Sequence, residues 1–196
     1  EGGHDWFHIE RVYKNALLIA NDTNCDLTVV QLGALLHDIA DSKFHNGDET
    51  IGPKTARLFL ESENVSEEII QHVVNIIENI SYKGGNFEKK FSSIELDVVQ
   101  DADRLDAIGA IGVARAFNYG GFKNRALHNP EIAPVTNMTK EEYKKNSAPT
   151  INHFYEKLLL LKDKMNTEKG KQIAAERHRF METFLAQFYA EWEGVK

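Results

Sequence analysis

Residues 35–45 of the chain read LLHDIADSKFH and place a histidine and an aspartate directly after two leucines. The segment between Asp26 and Leu36 is apolar almost all round, which predicts a central, buried helix. An ionised carboxylate is costly to bury without a partner. Either His37 and Asp38 coordinate a cation where this helix ends, or Asp38 caps a backbone end or pairs with an arginine while His37 is a core histidine.

Composition and charge indicate an ordinary globular protein. The chain has 196 residues, of which 42% are hydrophobic and 27% are charged. Its net charge of -7 argues against stable binding to nucleic acid or to a membrane surface, since both require a basic field. A single cysteine, Cys25, excludes an internal disulfide framework and fits the cytoplasm. No membrane-length apolar run or signal peptide is visible, and the start EGGHDW leaves a missing N-terminal segment open.

Apolar residues spaced three and four apart predict an all-α fold. We expect Asp5 and Asp26 to cap the first two helices. The sequence also predicts helices over 52–62, 66–80, 93–117, 150–165 and 167–192. Alternation of apolar and polar residues is rare and no hairpin turn joins two β-rich runs, so we expect no strand.

Two further polar groups lie in apolar helices. His8 belongs to GHDWFHIERV, residues 3–12, where His4 precedes it by one turn and can cap the helix or support the second histidine. The segment DADRLD, residues 101–106, lies between apolar runs. On a regular helix Asp101 and Asp103 lie roughly 160° apart, so a helical wheel does not choose between them. Surface solvation with an Arg104 salt bridge is the alternative explanation for these acids.

These motifs together resemble the HD-domain metal-dependent phosphohydrolase superfamily. The match consists of H8-x-x-R11-V12, L36-H37-D38 and A102-D103-R104-L105. The segments GHDWFHIERV, HDIADSKFH, ISYKG and QDADRLDAIGAIGVAR are similar to those of one subgroup, the stand-alone bacterial HD hydrolases. The resemblance implies a single HD-type helical bundle over residues 1–196, with a metal-site core at about 4–120 and additional C-terminal helices at about 139–196.

The resemblance implies one divalent metal ion bound by His8, His37, Asp38 and Asp103. Asp103 is preferred over Asp101 because it holds the A-D-x-L position. A mixed nitrogen and oxygen set suits Mn²⁺ first, with Mg²⁺, Fe²⁺, Co²⁺, Ni²⁺ or Zn²⁺ as alternatives. A two-metal site is the other arrangement in the superfamily, and His45 and His72 are its extra candidates here.

The resemblance also suggests roles for charged residues near the motifs. Asp41 follows Asp38 by three residues and is predicted to be a general base or to orient a water beside the metal. Asp106 is the second candidate for a catalytic acid or base, or for orienting a ligand. The cations predicted to bind phosphate are Arg11, Lys43, Lys83 and Arg104. Arg11 has the alternative of holding Asp38 or Asp103 in place.

The function that the resemblance implies is hydrolysis of a nucleotide or a similar small phosphorylated molecule. Four protein ligands on a six-coordinate ion leave positions for a water and a phosphoryl oxygen, and pyrophosphate or phosphate would be released. The alternatives are a di-iron oxygenase on the same scaffold and a non-catalytic, nucleotide-binding regulatory module. The two long C-terminal helices leave a homodimer open, because they can serve as a lid or as a dimer face.

Overall fold

The computed structural model describes residues 5–40, 48–80, 91–136, 138–139, 142 and 146–195. Within these ranges the chain forms eight α-helices and one 3₁₀ helix and contains no strand, which confirms the predicted all-α class. The contacts divide the chain into two compact units, His4–Asp103 and a second unit built on Arg104–Lys196. The assignment of residues 1–196 to a single domain stays a prediction.

The first unit contains α1 to α4 and most of α5. Their bounds are Trp6–Ala20 for α1, Leu27–Leu36 for α2, Ile51–Ser62 for α3, Glu67–Asn79 for α4 and Ile94–Asp106 for α5. The helix α2 packs against α1 and α4, and α3 packs against α4. A Cβ at Gly33 of α2 would lie 3.3 Å from Val99 and 3.4 Å from Ile76, so this glycine lets α2 approach both α5 and α4. The predicted central position of α2 is confirmed, but its burial is incomplete, since Leu27 and Leu35 are exposed.

Side-chain caps begin the first two helices as predicted. An oxygen of Asp5 accepts a hydrogen bond from the backbone N–H of His8 at 2.9 Å. Asp26 accepts one from the backbone N–H of Thr28 at 2.8 Å. Both bonds satisfy N–H groups that the first turn of a helix leaves without an intrahelical acceptor. Ser66 occupies the N-cap position of α4, but its side chain makes no capping hydrogen bond.

The second unit contains the remaining helices. They are α6 over Gly109–Phe122, α7 over Thr150–Glu156, the 3₁₀ helix over Leu158–Lys164 and α8 over Glu168–Trp192. The long α8 packs against α6 and the 3₁₀ helix, and α7 packs against the same two elements. No helix in the described part of the chain is long and apolar enough to cross a membrane.

Two helices that the sequence predicts as continuous are interrupted in the structure. The helix predicted over 93–117 is interrupted, because Ile108 is extended at φ -126° and ψ 168° and Gly109 has φ +75°. The helical wheel therefore holds only as far as Asp106. The helix predicted over 150–165 ends at Glu156, since Lys157 leaves helical geometry at φ -144° and ψ -56°, and the chain continues as the 3₁₀ helix.

Candidate metal centre

Two buried imidazoles face each other in the first unit. His8 lies in the first turn of α1, behind its cap, and His37 is the residue at which α2 ends. Their Nε2 atoms are 3.3 Å apart, and their rings meet edge to face at 70°. Only 1% of the His8 side chain and 2% of the His37 side chain are exposed. The pair therefore presents two nitrogen atoms to one small, enclosed volume.

A backbone hydrogen bond fixes the orientation of His37. Its Nδ1 lies 2.8 Å from the carbonyl oxygen of Ala34, one turn earlier on α2. Because a carbonyl can only accept, Nδ1 carries the proton and Nε2 of the neutral ring keeps its lone pair. This lone pair points toward His8. Metal-binding histidines commonly show such a bond from the other ring nitrogen.

Two carboxylates approach the same pair of nitrogens. The Oδ2 atom of Asp38 lies 3.4 Å from Nε2 of His8 and 3.6 Å from Nε2 of His37. The Oδ1 atom of Asp103, on α5, lies 3.5 Å and 4.0 Å from the same two nitrogens. Exposure of these side chains is 23% for Asp38 and 39% for Asp103. The imidazoles thus form the floor of the cluster, and the carboxylates form its opening to solvent.

The spacing of these atoms fits a divalent ion. Ligand atoms of His8, His37 and Asp38 all lie within 4.8 Å of one another. Metal bonds of about 2.1 Å place neighbouring ligands of a tetrahedral or octahedral ion about 3.0–3.4 Å apart. The observed separations of 3.3, 3.4 and 3.6 Å are close to that spacing. Nitrogen and carboxylate donors without a thiolate also suit the metals expected from the sequence.

Some residues predicted for the site lie outside the described residues. These are His4, Asp41, Lys43, His45 and Lys83. Arg11 is described and lies partly exposed on α1, three residues after His8. The predicted roles of these residues in binding or catalysis stay predictions.

Two other predicted residues make contacts in the second unit. The guanidinium group of Arg104 donates to the carbonyl oxygen of Lys164. The buried carboxylate of Asp106 accepts from Nη1 of Arg115 at 2.6 Å, and the same nitrogen lies 3.1 Å from the Asp106 backbone oxygen. Asp106 and Arg115 therefore join the end of α5 to α6. This contact gives Asp106 a structural role, and the catalytic role predicted for it is untested.

The contacts of His72 lie at the opposite end of α5 from Asp103. Its Nε2 atom is 2.9 Å from Oγ of Ser93 and 3.4 Å from Oε2 of Glu95. Ser93 precedes Asp103 by ten residues, or about 15 Å along a helix. In the described part of the chain, these contacts give the two-metal alternative no support through His72.

Sequence reasoning did not single out Asn15. The Nδ2 atom of this α1 residue donates to the carbonyl oxygen of Ala102, next to Asp103, at 3.3 Å. Close to Asn15 on the same helix, Val12, Ala16 and Ile19 are fully buried. A polar side chain on an apolar helix face is the signal that could have identified it.

The HD domain family matches residues 6–108, which include both histidines, Asp38 and Asp103. This chain belongs to the HD domain family. The resemblance inferred from the motifs is thereby confirmed. HD domains bind divalent metal ions, and in this HD protein His8, His37 and Asp38 can hold one.

Known relatives are similar to this HD protein over nearly its whole length. Bacillus subtilis YpgQ is 37% identical over 201 residues, which cover 98% of this chain and 86% of YpgQ. The crystal structure of an HD-superfamily hydrolase from Bacillus thuringiensis has 44% identity and a TM-score of 0.78, and the match covers 97% of this chain and 87% of that one. The crystal structure of B. subtilis YpgQ in complex with ADP has 35% identity and a TM-score of 0.78, with coverages of 100% and 94%.

Proposed function

We propose that this HD protein is a divalent-metal-dependent phosphohydrolase that acts on a nucleotide. The observation that carries the proposal is the cluster of two Nε2 atoms 3.3 Å apart with carboxylate oxygens 3.4–4.0 Å from them. Similarity to an HD-superfamily hydrolase supports hydrolysis, and the complex of the related YpgQ with ADP supports a nucleotide as the ligand.

The proposed metal ligands are His8, His37, Asp38 and Asp103. Asp103 is favoured over Asp101 because its Oδ1 atom lies 3.5 Å from Nε2 of His8, and Asp101 lies roughly 160° away from it around α5. When bound, a divalent ion such as Mn²⁺ supplies a Lewis acid that lowers the pKa of water and neutralises charge on a phosphoryl group.

The chain's own residues set the direction of substrate approach. The histidines are buried and the carboxylates are partly exposed, so a phosphoryl group must enter past Asp38 and Asp103. Cations are needed there, because the carboxylates repel an anionic substrate. We propose Arg11, Lys43 and Lys83 for this role and Asp41 as the base, whereas the bond of Arg104 to Lys164 makes Arg104 the weaker candidate.

The test is release of phosphate and pyrophosphate from nucleoside mono-, di- and triphosphates with Mn²⁺, Mg²⁺, Co²⁺ or Ni²⁺. We expect metal-dependent release in the wild type and a loss on the order of 100-fold or more in Asp38→Asn, because a metal ligand is removed. Asp163→Asn is the matched control. The Asp163 side chain is 78% exposed and lies 4.0 Å from Nζ of Lys162, so the activity of this variant should stay near that of the wild type.

The product identifies the bond that is attacked. Pyrophosphate from a triphosphate indicates attack at the α-phosphorus, and orthophosphate indicates attack at the terminal phosphorus. If the protein is shown to bind metal but releases neither product, the proposal is refuted. Two iron ions per chain would then favour the oxygenase alternative, and nucleotide binding without turnover would favour the regulatory module.

A further inference from the structure

Asn15 places an amide in the apolar interior of the first unit. Only 8% of the residue is exposed, and Val12, Ala16 and Ile19 on the same helix are fully buried. A buried amide is unfavourable relative to an apolar side chain of similar size unless it makes hydrogen bonds. The bond from Nδ2 to the carbonyl oxygen of Ala102 joins positions that are 87 residues apart in the chain. Its position relative to the metal centre suggests why an amide is present.

The bond links the two helices that carry His8 and Asp103. Asn15 follows His8 by seven residues, or about two helical turns, so both side chains lie on one face of α1. Ala102 directly precedes Asp103 on α5. A carbonyl oxygen has two lone pairs, and a helix interior uses one for its own hydrogen bond. The Ala102 carbonyl therefore does not need Asn15 for its own pairing, and the bond acts mainly on the position of α1 relative to α5.

We propose that Asn15 is a positioning residue that sets the separation of His8 from Asp103. The inference rests on the ligand set of the proposed function. The two ligand atoms are 3.5 Å apart and belong to different helices, so a small slip of α1 along α5 separates them. Metal sites tolerate errors of only about 0.5 Å in their ligands. Asn15 restrains that slip and is not itself one of the proposed ligands.

The test is calorimetric titration of metal-free protein with Mn²⁺. Asn15→Leu keeps a side chain of similar size and removes the donor, and we expect its Kd for Mn²⁺ to rise roughly tenfold, as for other residues that support metal ligands. Asn15→Gln keeps a donating amide and should bind more tightly than Asn15→Leu. If the leucine variant does not fold, Asn15→Ala takes its place, with urea unfolding of the metal-free proteins as the measure of folding.

Gln100→Leu is the matched control. Like Asn15, Gln100 is a buried amide, and it lies on α5. Its Nε2 atom donates to the backbone oxygen of Ile80 at 3.0 Å. Its removal should lower the free energy of unfolding and leave the Kd for Mn²⁺ unchanged. The inference would be overturned by equal Kd values for the wild type and Asn15→Leu, or by equal losses of Mn²⁺ affinity in Asn15→Leu and Gln100→Leu. Either result would leave the proposed function standing. A wild type that binds no divalent metal would overturn both.

Discussion

At the scale of single residues, the backbone around the His37–Asp38 pair is closely confined. The Ala34 carbonyl holds the ring of His37 from the preceding turn. Two residues after Asp38, Ala40 adopts φ +54°, a left-handed conformation that costs a non-glycine residue about 1–2 kcal/mol. Gly52 of α3 then lies directly against the carbonyl oxygen of Ile39. The turn that carries Asp38 is therefore fixed by close contacts on both sides.

Gly52→Ala should weaken metal binding. A Cβ at this position would lie 2.9 Å from the Ile39 carbonyl oxygen, so the backbone next to Asp38 must shift. We expect a Kd for Mn²⁺ that is higher by roughly tenfold and a free energy of unfolding lower by about 1–3 kcal/mol. Titration calorimetry and urea unfolding measure the two effects. An unchanged Kd would show that the turn accommodates the methyl group without moving Asp38.

At the scale of elements, the corner between α5 and α6 is stabilised by arginines of the second unit. Nη1 of Arg177, on α8, donates to the carbonyl oxygen of Leu105 at 2.5 Å. Nη1 of Arg115, on α6, donates to both the backbone and the side chain of Asp106. The last carbonyls of a helix lack intrahelical donors, so these guanidinium groups supply them. The end of α5 is therefore held by side chains from α6 and α8.

Gly109→Ala should destabilise this corner. Gly109 has φ +75°, and an added Cβ would lie 2.9 Å from Cβ and Cγ of Arg177. We expect a loss of about 2–3 kcal/mol in the free energy of unfolding, from backbone strain and from displacement of Arg177. Urea denaturation measures it. Gly121→Ala on α6 is the control, because its Cβ would meet nothing within 4 Å and alanine favours a helix by up to about 1 kcal/mol. Equal stabilities of the two variants would contradict the explanation.

At the scale of the whole molecule, the two units carry different chemistry. His8, His37, Asp38 and Asp103 belong to the first unit, and the boundary falls inside α5 directly after Asp103. The second unit contains His153, whose pKa is lowered to about 3 by burial and by the positive charges of Lys157 and Arg125. Substitution of His153 should therefore change the contribution of this residue to acid sensitivity without removing a proposed metal ligand.

His153 should make the protein less stable as the pH falls. Above its ordinary pKa of about 6.5, His153 is neutral in both states and contributes no pH dependence. Between pH 6.5 and about 3 the unfolded chain binds a proton that the folded chain does not. The free energy of unfolding should therefore fall by about 1.4 kcal/mol per pH unit from this residue. In urea unfolding between pH 7 and 5, the free energy of unfolding should depend less steeply on pH in His153→Gln than in the wild type. Equal slopes would refute the assignment of this pH dependence to His153.

Local signals were sufficient for the first helices and for the motifs. The caps at Asp5 and Asp26 and the apolar period of α1 and α2 depend on residues a few positions apart, and the structure confirms both helices. The break before Gly109 was missed because AIGAIG is compatible with a helix. The position of Arg177, 68 residues later, helps to define the corner. The helical segment after Thr150 likewise changes to a 3₁₀ helix at Lys157 without a proline or glycine to mark it.

The sequence by itself determined the all-α class, the HD family and the residue types of the proposed metal centre, because helical periodicity and short motifs are local properties. It left Asp101 and Asp103 as geometric alternatives, since both border the apolar face of α5. Only the tertiary structure decided that Asp103 lies 3.5 Å from His8 while Asp101 is fully buried. The rotation of α5 about its axis depends on packing against distant helices, to which the Asn15–Ala102 bond belongs. Spacing within α5 cannot encode that rotation.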